Sequence, residues 1–369
     1  MRPFTPPFPK RGERETWQFA AEVIELPDAL EAVEAHFRER GWTDGLPIVP
    51  PTPERAEAML AGIEAEPDMV VGKIPPLWGE ATVEKIAINA VMAGCPPAAM
   101  PVLVAALEAM LDPAFNLYGV QATTHPVAPL LIVHGPAAGR LGMHAGPGVF
   151  GPGNRANATL GRAVRLCLWN LGGARPGAGD MATQGSPAKY TYAMAEREDG
   201  SPWGPLHASL GFAPTDSVVT VFGGEAPHNV NDHVSQRAEN LLAVVAGTAA
   251  TLGSNVGWYL AQSQLLVVLG PEHAATIAAD GFSRADVQRY LFDHARISLG
   301  RRKLGGMWGI QDWPRWMATV DDAVMLPVVS APEDVLVMVA GGPGKHSAVV
   351  PNCAFSRAVS RPITRWPRR

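Results

Sequence analysis

The sequence predicts an α/β fold, on three observations. Four apolar runs rich in β-branched residues, at 129–136, 217–224, 264–271 and 335–343, each end in a glycine-containing corner. Helical patterns follow the first three runs, at 154–171, 235–252 and 283–294. Continuous apolar runs of this length suit strands buried on both faces, and their alternation with helices is the α/β signature. The third observation is the excess of Gly (38) and Pro (35) without any repeat period, which reads as many structured turns. The recurrence raises the expectation of two pseudo-similar halves, although it is too loose to prove an internal repeat.

Taken in order, residues 1–16 read as a proline-rich flexible arm. Residues 17–120 read as a mainly helical region and 121–369 as the α/β region, the two able to form one continuous domain. A helix is expected at 29–40, ending at Gly41. The prolines at 47, 50 and 51 deny a helical ladder to the next segment. Thr52 can cap a helix over 53–63 with proline in its first turn. Helices at 82–93, ending at Gly94, and 98–110 are apolar on all sides and so expected to be buried. Ser283 with Asp286 forms a plausible capping box.

Composition narrows the function classes. Hydrophobic residues at 47% and charged residues at 18% mark a globular chain. The net charge of −5, with no basic stretch interleaved with aromatics, argues against nucleic acid. Arg361, Arg365, Arg368 and Arg369 read as a solvated basic tail. The three cysteines, Cys95, Cys167 and Cys353, are too widely spaced for a disulfide framework or a CxxC metal site. With no apolar leader and no unbroken span of about 20 apolar residues, the expectation is a cytoplasmic protein without membrane contact. A homo-oligomer is also expected.

Several segments carry residues suited to chemistry. Residues 142–157 hold Gly146, Gly148, Gly151 and Gly153 ahead of a helix, with His144, Asn154, Arg155 and Asn157. Glycines at a helix N-terminus leave N–H groups free to hold an anion, so this corner is a candidate substrate site. Its order is neither GxGxxG nor GxxxxGK[ST], so no dinucleotide or nucleoside triphosphate is inferred. Equally, it could be a tight corner capped by Asn154.

Histidines gather in and after the glycine corners: His144, His228, His233, His273 and His346. Strand-end loops of α/β sheets are where ligands bind. Glu225, His228 and His233 offer acid–base groups or ligands for a divalent transition metal if their loops converge. Cys95 lies between two helices, where a helix N-terminus would favour thiolate. A buried filler is the alternative. Cys167 falls on a buried helical stripe. The loop holding Asp180, Lys189 and Tyr190, and the corner holding Lys345 and His346, are cationic candidates for contacting substrate. Segments 42–45 and 123–126, the latter including His125, line a pocket or form capped turns.

Four stretches together carry a resemblance: Asp44-Gly45-Leu46-Pro47 with Pro50-Pro51-Thr52, Asn89-Ala90-Val91-Met92-Ala93-Gly94-Cys95, Gln121-Ala122-Thr123-Thr124-His125-Pro126-Val127-Ala128-Pro129, and Asn154-Arg155-Ala156-Asn157-Ala158-Thr159. Spanning nearly the whole chain, they resemble a widespread bacterial family with no established reaction, associated loosely with the UGSC group of selenoproteins and thiol proteins. The resemblance implies a cytosolic bacterial protein and thiol or redox chemistry, although the chain has no UGSC or CGSC sequence.

The leading expectation is a lyase- or hydrolase-type enzyme acting on a small carboxylate- or carbonyl-bearing molecule. His144, His228, His233 and Glu225 would move protons or hold a metal, and Lys189, Lys345 and His346 would stabilise negative charge. The alternatives are a thiol-dependent oxidoreductase component using Cys95 and a non-catalytic binding or assembly subunit.

Overall fold

Proline and glycine set the element boundaries from the first helices onward. The structure is a computed structural model that describes residues 19–258, 263–305, 308–310 and 312–367. The expected 1–16 arm lies outside the described residues. Helix α1 (Leu30–Glu39) buries none of its residues, and α2 (Pro53–Leu60) starts where the Thr52 hydroxyl accepts from the Arg55 N–H. A hairpin of β1 (Val70–Ile74) and β2 (Gly79–Thr82) follows. Thr82 then caps α3 (Val83–Ala93), which Gly94 ends at φ 84°, a left-handed conformation that glycine adopts without strain. Helix α4 (Met100–Met110) buries every residue except Glu108.

Next come α5 (Leu117–Ala122), β3 (Ala128–His134), α6 (Pro136–Leu141), α7 (Arg155–Asn170) and β4 (Ala193–Ala195). They are followed by α8 (Leu206–Ser209), β5 (Val218–Gly224), β6 (His228–Asn231) and α9 (Ala238–Ala249). The chain then forms β7 (Leu265–Leu269), α10 (Pro271–Ala279), α11 (Arg284–His294), β8 (Arg296–Ser298) and α12 (Leu299–Lys303). It ends with β9 (Met325–Pro327), β10 (Val335–Val339), β11 (His346–Pro351) and β12 (Val359–Pro362). The Ser283–Asp286 capping box at α11 is present.

The two principal sheets have four strands each, in the orders β12-β5-β3-β4 and β10-β7-β11-β6. The fold is α/β, with mixed sheets. Only β3–β4 and β7–β10 are parallel, and the remaining pairs are antiparallel. Alternate residues explain why the strands are apolar on both faces. Leu130, Ile132 and Phe222 of the first sheet share one cluster with Leu266, Val268, Leu336, Met338 and Val350 of the second. Leu131, Val133, Val219 and Val221 point the other way, into a cluster with α3, α4 and α7. Val267, Leu269, Val337 and Val339 face a third cluster with α9, α10 and α11. The sheets therefore pack on each other, with helices outside both, as four layers. Each large side chain buried this way contributes about 1.5–3 kcal/mol.

The two halves share one connectivity. In the first, β3 leads through helices to parallel β4, and β5 then returns antiparallel to β3. In the second, β7 leads through helices to parallel β10, and β11 returns antiparallel to β7. The fourth strand is exchanged. After β5 the chain crosses over and β6 pairs with β11; after β11 it crosses back and β12 pairs with β5.

The basic tail is not simply solvated. Arg361 pairs with Asp112 and Arg365 with Glu108, each beside or on α4, because β12 lies against that helix. Residues 368 and 369 lie outside the described residues. No helix among the described residues is long and apolar enough to cross a membrane.

Candidate functional site

The strand exchange creates a crossing point where two distant corners meet. Gly224 and Asn352 form an antiparallel bridge. The Glu225 N–H donates to Pro351 O at 2.9 Å, and the Cys353 N–H donates to Gly223 O at 2.7 Å. Glu225 and Cys353 thus occupy equivalent positions in the two halves. The loop ahead of β3 adds His125, its backbone N–H fixed on the Thr123 hydroxyl.

Glu225 Oε1 receives three hydrogen bonds: from His125 Nε2 at 3.0 Å, the Ser254 hydroxyl at 2.8 Å and the Asn255 N–H at 3.1 Å. Burial alone would raise the Glu225 pKa. The bonds from His125, Asn255 and Ser254 outweigh it and hold the carboxyl below its ordinary value. An ionised Glu225 requires the proton of His125 on Nε2, which leaves Nδ1 as the basic nitrogen. Nδ1 is buried and has no hydrogen-bond partner among the described residues.

Tyr192, whose hydroxyl bonds to Glu225 O, also lines a cavity of about 20 Å³, room for one or two waters, with Gln121, Arg165, Asp180 and Lys189 among apolar residues. Asp180 is buried between two cations. Lys189 Nζ reaches both its oxygens at 2.7 Å, and Arg165 Nη2 reaches Oδ2 at 3.1 Å. The Asp44 carboxylate also acts on Arg165, so the two cations are compensated by more than Asp180 alone. Burial lowers the pKa of Lys189 against the opposing pull of Asp180, and burial likewise lowers that of Arg165. The buried Gln121 Oε1 has no partner among the described residues and is an open acceptor.

The two groups adjoin. The Tyr192 hydroxyl donates to Glu225 O at 3.0 Å, and burial, then the Glu225 charge, raises its pKa. The Cys353 thiol feels both sides: burial and Glu225 push it up to about 12, against Lys189. Helix α7 approaches closely at Gly161, where a Cβ would stand 2.5 Å from Thr191 Oγ1 and Tyr192 N.

Three of the sequence-predicted residues, His125, Glu225 and Lys189, therefore come together, with Asp180 beside Lys189. Arg165 and Ser254 were not legible as site residues. A charge on an amphipathic helix normally faces solvent, and Ser254 follows Gly253 in an ordinary-looking turn. Tyr190 is exposed and forms no pair with Lys189.

The expected metal set does not assemble. Strand β6 begins at His228 and His233 lies two residues past its end, and among the described residues they form no metal-holding group with Glu225. His228 is exposed, while Glu225 is held by His125. His233 instead meets His346 at 3.3 Å between Nε2 atoms, with Lys345 donating to His233 O. His273 is buried between Ser347 and Asp232 O.

The glycine corner is occupied by its own bonds. Asn157 clamps the His144 backbone through both N–H and C=O at 2.9 Å, and Asn154 caps α7 while donating to Gly142 O. Arg155 donates to Gly94 O, and His144 Nε2 lies 2.7 Å from Pro147 O. Gly146, Gly148, Gly151 and Gly153 shape this loop, two of them at positive φ. The polar side chains expected to bind an anion are directed to the backbone. Cys95 is also turned inward. Its thiol donates to Thr159 O, and burial pushes it up to about 12, so it stays protonated near neutrality. The 42–45 turn is held by a two-bond pairing of Asp44 with Arg162.

No protein-family model, curated protein or solved structure matches the chain.

Proposed function

We propose that the chain is a lyase-type enzyme that abstracts a proton from a small carboxylate- or carbonyl-bearing molecule at the strand crossing. The observation that carries this reading is the His125–Glu225 pair, whose second imidazole nitrogen has no partner among the described residues, joined through Tyr192 to the Lys189–Asp180–Arg165 cluster. A carboxylate on one ring nitrogen orients the imidazole and stabilises the cation formed when the other takes a proton. His125 Nδ1 removes a proton from the carbon next to the carboxylate or carbonyl. The electron pair moves onto that group, whose developing charge faces Lys189 and Arg165. The carbanion-like intermediate then expels its leaving group with the electron pair of the broken bond, and the imidazolium delivers the proton to that departing group.

The site favours elimination over acyl transfer because it holds no activated nucleophile: Cys353 is protonated and the Ser254 hydroxyl is directed to Glu225. The test is hydrogen–deuterium exchange at the acidic carbon of small hydroxy, keto and unsaturated acids in D2O, followed by NMR. Exchange is expected with the native chain and is expected to fall about a hundredfold or more in His125→Gln. Lys189→Met is expected to weaken carboxylate binding. If no acid in the series binds or exchanges, or if His125→Gln exchanges at the native rate, the reading fails.

A further inference from the structure

A second polar cluster lies at the far end of β3, about 20 Å along the strand from the crossing. His134 ends β3, Glu196 follows β4, Glu198 lies two residues on, and His207 belongs to α8. One ligand atom from each of the four lies within 4.8 Å of every other. His134, Glu196 and His207 are buried, and Glu198 is partly exposed.

His207 is the anomaly. It is fully buried, and neither ring nitrogen has a hydrogen-bond partner among the described residues. Buried imidazoles rarely go unsatisfied. Its Nδ1 stands 3.9 Å from Glu198 Oε1, too far for a hydrogen bond, while two ligands at about 2.0–2.2 Å from one ion lie about 3–4 Å apart.

His134 is prepared as a ligand. Its Nε2 lies 3.0 Å from the Thr220 hydroxyl, which continues to Ser360, and its Nδ1 lies 2.8 Å from Glu196 Oε2. A metal-binding histidine is commonly oriented in this way by a hydrogen bond on its other nitrogen. The carboxylates are anchored too: Glu196 accepts from the Leu206 N–H and Glu198 from the Gly135 N–H. We infer that His134, Glu196, Glu198 and His207 form a binding site for one divalent first-row transition metal ion. Two imidazoles and two carboxylates suit zinc, iron(II), cobalt(II) or manganese(II), and the partial exposure of Glu198 gives the ion an entrance.

The site ties together β3, β4 and α8 and stands apart from the proton-transfer residues, so the two readings fail separately. Its test uses the full chain, stripped with chelator and titrated with Co²⁺ alone. One equivalent is expected to bind, with the visible absorption of a low-symmetry nitrogen–oxygen site and a rise in thermal midpoint. His207→Ala and Glu198→Gln are expected to weaken Co²⁺ binding by more than about a hundredfold, and Thr220→Val by about tenfold. The thermal-midpoint rise in the native chain needs no variant, and far-UV circular dichroism checks each variant's fold. A native chain that binds no Co²⁺, or a folded His207→Ala chain that binds it unchanged, overturns the inference.

Discussion

Two glycine corners of this molecule do opposite things. The corner at 142–157 has more glycines and more polar side chains, yet Asn154 and Asn157 bond within the corner itself and Arg155 bonds to the Gly94 carbonyl. The corner at Gly223-Gly224-Glu225 is shorter, and its one charged side chain meets His125, a hundred residues earlier, and Ser254, in a later turn. Local density of polar groups reports how a loop holds itself. Chemistry instead arises where the topology forces distant segments together.

The interior beneath the crossing supplies the largest expected effect. Phe222 is fully buried between the sheets, one turn of the pleat from the corner. Phe222→Ala is expected to cost about 3–5 kcal/mol in chemical denaturation. A cost near zero would mean the sheets do not pack face to face.

A matched pair of substitutions separates the two corners. Glu225→Gln is expected to slow proton exchange about a hundredfold with a small change in stability. Asn157→Ala is expected to do the reverse, costing about 1–3 kcal/mol because the His144 backbone loses both bonds, while exchange persists. Exchange lost on Asn157→Ala alone would return the site to the glycine corner.

A smaller effect follows from pH. The folded-state pKa of Glu225 is depressed, so the folded state binds fewer protons there than the unfolded chain. Its stabilisation is fully present above the ordinary glutamate value of about 4.3. It is lost as pH falls from there through the lower folded value. Glu225→Gln should flatten that part of a denaturation-versus-pH profile, and an unchanged slope would count against the His125–Glu225 pairing. Smallest is Arg155→Ala, with an expected cost of no more than about 1 kcal/mol and no loss of carboxylate affinity.

Much of the fold was legible. The four apolar runs are β3, β5, β7 and β10, and the helices capped by Thr52, Asn154 and Ser283 begin where those residues indicate. The four layers were not, because Leu130 facing a second sheet and Leu131 facing a helix belong to the same apolar run. Nor was the exchange of β6 and β12, which is set by pairing between strands far apart in the chain. The site was legible by residue and misread by grouping. Glu225 stands three residues from His228 in sequence, but the link between β5 and β6 separates them: Glu225 turns to His125, and His228 is exposed. The His134–His207 cluster was not legible because His134 lies 62 residues before Glu196, and only the pairing of β3 with β4 brings them together.

The strand exchange also has a consequence for how the chain is made. The outer edge of β5 is covered only by β12, roughly 135 residues later, and synthesis at about 5–20 residues per second leaves that edge bare for on the order of ten seconds. An unpaired edge of fully buried residues invites pairing with another chain. The nascent first half is therefore expected to be prone to strand pairing with other chains. Its fold becomes safe only when translation has delivered the last strand of the other half.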